Sequence, residues 1–126
     1  MAAATSPTGE GVDRFTEVMG NRAAPALDAM REQSPELAAW VTDFIFGTVY
    51  AREDLDRQRQ QMITIAALTT LGGSERQLEL HVAGALNVGL SAQEIVGVIL
   101  HVAPYSGFPR ALNAMSAAKR AIDQAS

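Results

Sequence analysis

The sequence predicts an all-α fold, a single-domain bundle of six or seven helices, and three observations carry that expectation. From Asp13 onward every sustained apolar pattern repeats at helical spacing, and none shows the alternation of a strand. Gly20, Pro25, Pro35, Gly72-Gly73, Gly89 and Gly107-Phe108-Pro109 punctuate the chain between those patterns. With 126 residues, 48% of them apolar, the chain has the size of one domain with one core.

The elements follow in order. Residues 1–11 are small, polar or helix-breaking, with Pro7, Gly9 and Gly11 close together, and are expected to form a disordered tail ahead of a helical domain over 12–126. Asp54, Asp56, Arg57, Gln58, Arg59, Gln60 and Gln61 read as a solvated helix start. Met62 to Leu68 is apolar nearly all round, so its helix should be central, and a chain this short needs partner subunits to cover it. The helix from Glu75 to Val88 has a buried stripe of Leu78, Val82, Ala85 and Leu86. Ser91 and Glu94 have the spacing of a capping box, and Ile95, Val98, Ile99 and Val102 form the stripe behind it, ending near Pro104. Pro109 suits the first turn of the last helix, whose inner face is expected at Leu112, Met115, Lys119 and Ile122, the lysine contributing its aliphatic stem.

Composition excludes several kinds of function. Ten basic against fourteen acidic residues, without a clustered Lys/Arg stripe, disfavour nucleic-acid binding. The absence of cysteine removes disulfides, thiolate metal sites and dithiol redox chemistry. There is no apolar run of the ~18 residues that would span a bilayer, and no basic, apolar signal-peptide start, so the expected setting is the cytoplasm, away from membranes. No HxxxH or HxxE spacing, P-loop or GxGxxG is present, so neither a metal nor a bound cofactor is expected.

Two histidines are the side chains whose ordinary ionisation lies near neutrality. His81 falls ~70° from the centre of its helix's apolar stripe, at the border of the core. His101 lies opposite its own stripe, four residues before Tyr105, where two polar rings can share a face. A satisfied core histidine is the plain alternative for each. Arg52 follows the aromatic-rich run Phe44 to Tyr50 and can offer a two-pronged donor to a carboxylate, unless it is simply a surface arginine. Glu94 reads as a cap, and Glu75 and Glu79 as solvated.

The ordered series Leu80-His81, Asn87-Val88-Gly89-Leu90-Ser91, Glu94-Ile95, His101 and Tyr105-Ser106-Gly107-Phe108-Pro109 with Asn113-Ala114 resembles the carboxymuconolactone decarboxylase family. Phe46-Gly47, Tyr50, Arg52, Leu55 and Thr64-Ile65-Ala66 extend the likeness over about residues 40 to 122. The resemblance implies an alkylhydroperoxidase D-like helical subunit assembling with threefold symmetry, as a homotrimer or homohexamer. The peroxidase branch, resembling alkyl hydroperoxide reductase D, carries CxxCxxxH; its thiol positions fall here on Ser74 and Gln77, which share a helix face with His81. The decarboxylase branch remains. It implies a cofactor-free carbon-carbon lyase that converts 4-carboxymuconolactone to 3-oxoadipate enol-lactone and carbon dioxide in aromatic-acid degradation. By this resemblance His81, His101 and Tyr105 are the catalytic candidates, and Tyr50, Arg52, Ser74, Gln77 and Arg110 the residues that hold a small carboxylic-acid substrate. The chain departs from the family pattern at Gln60, Gly97, Pro104 and Arg110. The alternatives are a related cofactor-free enzyme acting on another small cyclic acid or ketone in biosynthesis, and a non-catalytic oligomeric binding module.

Overall fold

In the computed structural model, which describes residues 9–125, three helices each start on a side-chain cap, at Ser34, Asp56 and Ser91. These residues form two compact units, 9–55 and 56–125, within the stretch that the sequence suggests is one domain.

In the first unit, α1 (Glu10–Met19) leads through a 3₁₀ turn, Gly20–Arg22, into α2 (Ala23–Gln33). Ser34 then caps α3 (Pro35–Trp40) by accepting from the Leu37 amide at 3.1 Å, with Pro35 in the first turn where it has no bond to lose. The chain continues without a break as a π-helix, Val41–Val49, and the Tyr50 amide donates to the Ile45 carbonyl at 2.8 Å, five residues back. Phe15 meets the edge of Phe46 at 5.0 Å between centroids, and Phe46 stacks on Tyr50 at 4.3 Å.

Here the expectation of a tail over 1–11 needs correction at its end. Residues 1–8 lie outside the described residues, but α1 already begins at Glu10 and Gly11 is buried. A Cβ on Gly11 would collide with the Thr42 carbonyl, so this glycine is the point where α1 closes on the π-helix, not a breaker.

The second unit is a four-helix bundle: α4 (Arg57–Leu71), α5 (Glu75–Asn87), α6 (Ala92–Ser106) and α7 (Phe108–Ala125). Both α4 and α7 pack against α5 and α6, around a core that includes Ile65, Leu78, Val82, Leu90, Ile95 and Ile99. Asp56 starts α4 by accepting from the Arg59 amide at 2.9 Å. The expected capping box starts α6: Ser91 Oγ accepts from the Glu94 amide at 3.0 Å, and Glu94 Oε1 accepts from the Ser91 amide at 2.9 Å.

Three details differ from the sequence reading. α6 does not stop at Pro104 but runs to Ser106, because Pro104 is exposed, and the bond it removes is to the carbonyl of exposed Leu100, within reach of water. The fully buried face of α7 is Ala114, Ala117, Ala118 and Ala121, with Met115 and Ile122 packed against the core beside it as expected, while Leu112 is 68% exposed and Lys119 is exposed. Small side chains let α7 approach α5 and α6 closely, so size was a poor guide to the buried stripe. In α4 the buried positions are Gln61, Ile65 and Thr69, and Ile63 stands 53% exposed. Among the described residues no helix is long and apolar enough to cross a membrane.

Candidate active site

His81 sits two turns into α5, half-buried beside Leu78, Val82 and Ala85, as its place in the apolar pattern implies. Across the α4–α5 contact, Gln61 is fully buried and its Oε1 lies 3.0 Å from His81 Nδ1. A carbonyl oxygen can only accept, so Nδ1–H donates, and the neutral ring keeps its lone pair on Nε2. Burial pushes the His81 pKa down from its ordinary 6.5 to about 4. At neutral pH His81 is therefore an uncharged imidazole, not the group titrating near neutrality that the sequence suggests.

Other candidates lie on the same bundle. Ser74 is the N-cap residue of α5, partly buried, and its side chain makes no capping bond. Gln77 is exposed one turn later, and the i, i+3, i+7 spacing aligns both with His81 along one face of α5. Arg110 lies across the α4–α5 turn: a Cβ on Gly72 would collide with its Nε and Cδ, and Gly72 also needs a φ of +73°. Arg110 belongs to α7 and is exposed, and its side chain passes Gly72, two residues before Ser74 in sequence.

His101 and Tyr105 belong elsewhere on the bundle. Their exposed rings lie 6.4 Å apart on α6, sharing a face as expected. His101 borders a groove of about 380 Å³ whose walls are Met62, Ile63, Ala66, Gly97, Val98 and Val102, with Glu94 at its edge. At 100° per residue, the α4 residues of that groove point roughly 150° away from Gln61. The bundle thus separates His101 from the His81–Gln61 pair.

Tyr50 and Arg52 lie in the first unit. Tyr50 is buried on Phe46. Arg52 is exposed and already presents its two-pronged fork to a carboxylate, that of Asp54, at 3.1 and 2.5 Å. Glu94 is the cap it was expected to be, whereas Glu79 pairs with Arg120 at 3.0 Å instead of being merely solvated. No three His, Asp or Glu side chains among the described residues converge as metal ligands would. Sequence reasoning missed Gln61, placing it in a solvated run. Its spacing of four and eight from Ile65 and Thr69 was the available signal, since all three are buried.

A family model for the carboxymuconolactone decarboxylase family matches residues 35–120. The chain belongs to that family. Within the carboxymuconolactone decarboxylase family, the chain is similar to the 4-carboxymuconolactone decarboxylase of Acinetobacter baylyi, 30% identical over 111 residues that cover 87% of this chain and 82% of the relative. It is similar also to the nitrosuccinic acid decarboxylase of Metarhizium robertsii, 31% identical over 122 residues, 90% of this chain and 80% of the relative. An uncharacterized 15.0 kDa protein of Paracoccus denitrificans is 32% identical over 101 residues, 75% of each chain. Both α4 and α5, and so both Gln61 and His81, fall inside the family match.

Proposed function

We propose that the protein is a cofactor-free carboxy-lyase acting on 4-carboxymuconolactone, with His81 as the proton carrier. The observation that carries this reading is the His81–Gln61 pair: an uncharged imidazole fixed through Nδ1, with Nε2 left as the basic atom. The named decarboxylase from Acinetobacter baylyi supports the substrate class.

The reaction makes few demands on the protein. The bond from the ring γ-carbon to its carboxylate breaks, and its electron pair runs through the ring alkene to the lactone carbonyl as carbon dioxide leaves. A proton must then reach carbon, so one proton is consumed per turnover. Resting His81 has none to give. When an anionic substrate docks beside it, the negative charge stabilises the imidazolium and Nε2 takes up a proton from solvent, which it then passes to the dienolate. The Nδ1–H bond to Gln61 persists through both charge states, because a carbonyl oxygen accepts from imidazole and, more strongly, from imidazolium. Ser74, the N-cap residue of α5, and Arg110 of α7, whose side chain passes Gly72 in the α4–α5 turn, are the donors we assign to the carboxylate or the developing oxyanion.

Nitrosuccinic acid is a second substrate to test, since the relative from Metarhizium robertsii is as similar to this chain as the lactone decarboxylase is. The shared chemistry is an electron sink, nitro group or unsaturated lactone, next to the departing carboxylate. The exposed Ile63, Leu71, Leu100 and Leu112 support assembly as a homotrimer or homohexamer, and light scattering would return a monomer if that expectation is wrong.

The deciding experiment follows each substrate with purified protein. Turnover of the lactone, lowered about 100-fold by His81→Ala with helical content unchanged, is the expected result. Turnover of nitrosuccinic acid alone would move the assignment to that substrate. Binding of either acid without turnover would make the protein a non-catalytic binding module.

A further inference from the structure

Gln61 is the fully buried polar side chain that the mechanism needs and that the sequence reading passed over. It stands at the first buried position of α4, followed along the same face by Ile65 and Thr69. A primary amide in that place forfeits water around both its oxygen and its nitrogen, a loss that burial of a methionine or leucine of similar size would not incur. The oxygen is directed at His81 Nδ1, 3.0 Å away on the neighbouring helix. A free imidazole divides its proton between two nitrogens, whereas an acceptor fixed at Nδ1 leaves one choice.

We propose that Gln61 is a positioning residue, which, through its Oε1 on His81 Nδ1, holds the imidazole in the Nδ1–H tautomer and so leaves the lone pair on Nε2, the atom that takes up the proton. Gln61 touches neither the substrate nor the reacting atoms; it acts through His81. Being an amide, it fixes the proton without supplying a negative charge, so the imidazolium forms only when an anionic substrate brings one. The inference rests on the reading of His81 as the proton carrier, and its test is arranged so that the two fail separately.

Nitrogen-15 NMR of the whole protein at pH 7.5 resolves the tautomer of each neutral histidine, and with His81 and His101 as the two present, His81→Ala assigns the signals. The expected wild-type spectrum shows His81 protonated at Nδ1 and bare at Nε2. Gln61→Met, close in shape but without an acceptor, should shift His81 toward the Nε2–H form and lower kcat at least about tenfold with the circular dichroism unchanged. Gln61→Glu, which returns an acceptor oxygen, should restore the Nδ1–H form. A wild-type His81 protonated at Nε2 overturns the proposal without any variant, even should Gln61→Met fail to fold. A folded Gln61→Met that keeps the wild-type tautomer overturns it as well. If His81→Ala turns over normally while the tautomer behaves as expected, the role of Gln61 in setting the ring stands and the catalytic reading of His81 is what falls.

Discussion

Lowering the pH should destabilise this protein through His81 before its carboxylates are protonated. The ring ionises at about 4 in the folded chain and at its ordinary 6.5 when unfolded, so between those values the unfolded state binds more protons. Stability is complete above pH 6.5, falls as the pH drops, and levels off below about 4 as far as this residue is concerned. A difference of 2.5 between the two values, at 1.36 kcal/mol each, makes the loss about 3 kcal/mol, and about half of it is in place by pH 5.2. That is a large part of the stability of an ordinary domain. Urea unfolding at a series of pH values, for wild type and His81→Gln at one protein concentration, isolates the contribution. Asp54 and Asp56, whose carboxyls are held below the usual range by Arg52 and by the Arg59 amide, titrate in both proteins and cancel. With a slope of roughly 1–3 kcal/mol per molar, the extra displacement of the wild-type midpoint between pH 7 and pH 4 is about 1 M or more. Parallel curves for the two proteins would refute both the burial of His81 and its neutrality in the fold.

Other perturbations test other parts of the structure. Thr69 is buried in α4 with its hydroxyl unpartnered, so Thr69→Val, of equal shape and similar helix propensity, should raise stability by about 1 kcal/mol in the same urea assay. Gly11→Ala should cost about 1–3 kcal/mol and lower the thermal midpoint, because the new methyl group meets the Thr42 carbonyl in backbone that cannot yield cheaply. Arg52→Ala removes an exposed ion pair and should leave the thermal midpoint unchanged; if Arg52 holds a substrate carboxylate, KM rises while kcat stays.

What the sequence made legible follows from which interactions are local. The capping box at Ser91 and Glu94 and the stripe Leu78, Val82, Ala85 depend on spacing within one helix, and both appear where expected. The border position of His81 was legible for the same reason. Its charge state was not, since that depends on a neighbour twenty residues away and on how much water the packed helices exclude. Gln61 was hidden by its company, the polar run Asp56 to Gln60, although the buried face of α4 begins with it. In α7 the ranking of side chains by size pointed to Leu112, whereas close helix approach selects alanine. The separation of His101 from His81 needed the bundle itself: each lies on a different helix against a different side of α4.

The coupling of charge to binding gives the mechanism a consequence that needs no turnover. If an anion beside Nε2 raises the His81 pKa by the 1–3 units usual for an opposite charge at contact, the ring moves from about 4 to between about 5 and 7. At pH 6 the free protein holds about 1% of its His81 protonated, and the complex between about 10% and 90%. Binding must then draw a proton from solvent, and by reciprocity the anion must bind more tightly as the pH falls. The disulfonate of ethane is a suitable probe, because it has two anionic ends, does not itself titrate near pH 6 and cannot lose carbon dioxide. Calorimetric titration in two buffers of different ionisation enthalpy measures the protons taken up, and His81→Gln subtracts whatever His101 contributes. An uptake between about 0.1 and 0.9 that disappears in the variant is expected. Binding with no uptake would mean that the anion sits away from Nε2, and the proton for carbon would then have to come from a group other than His81.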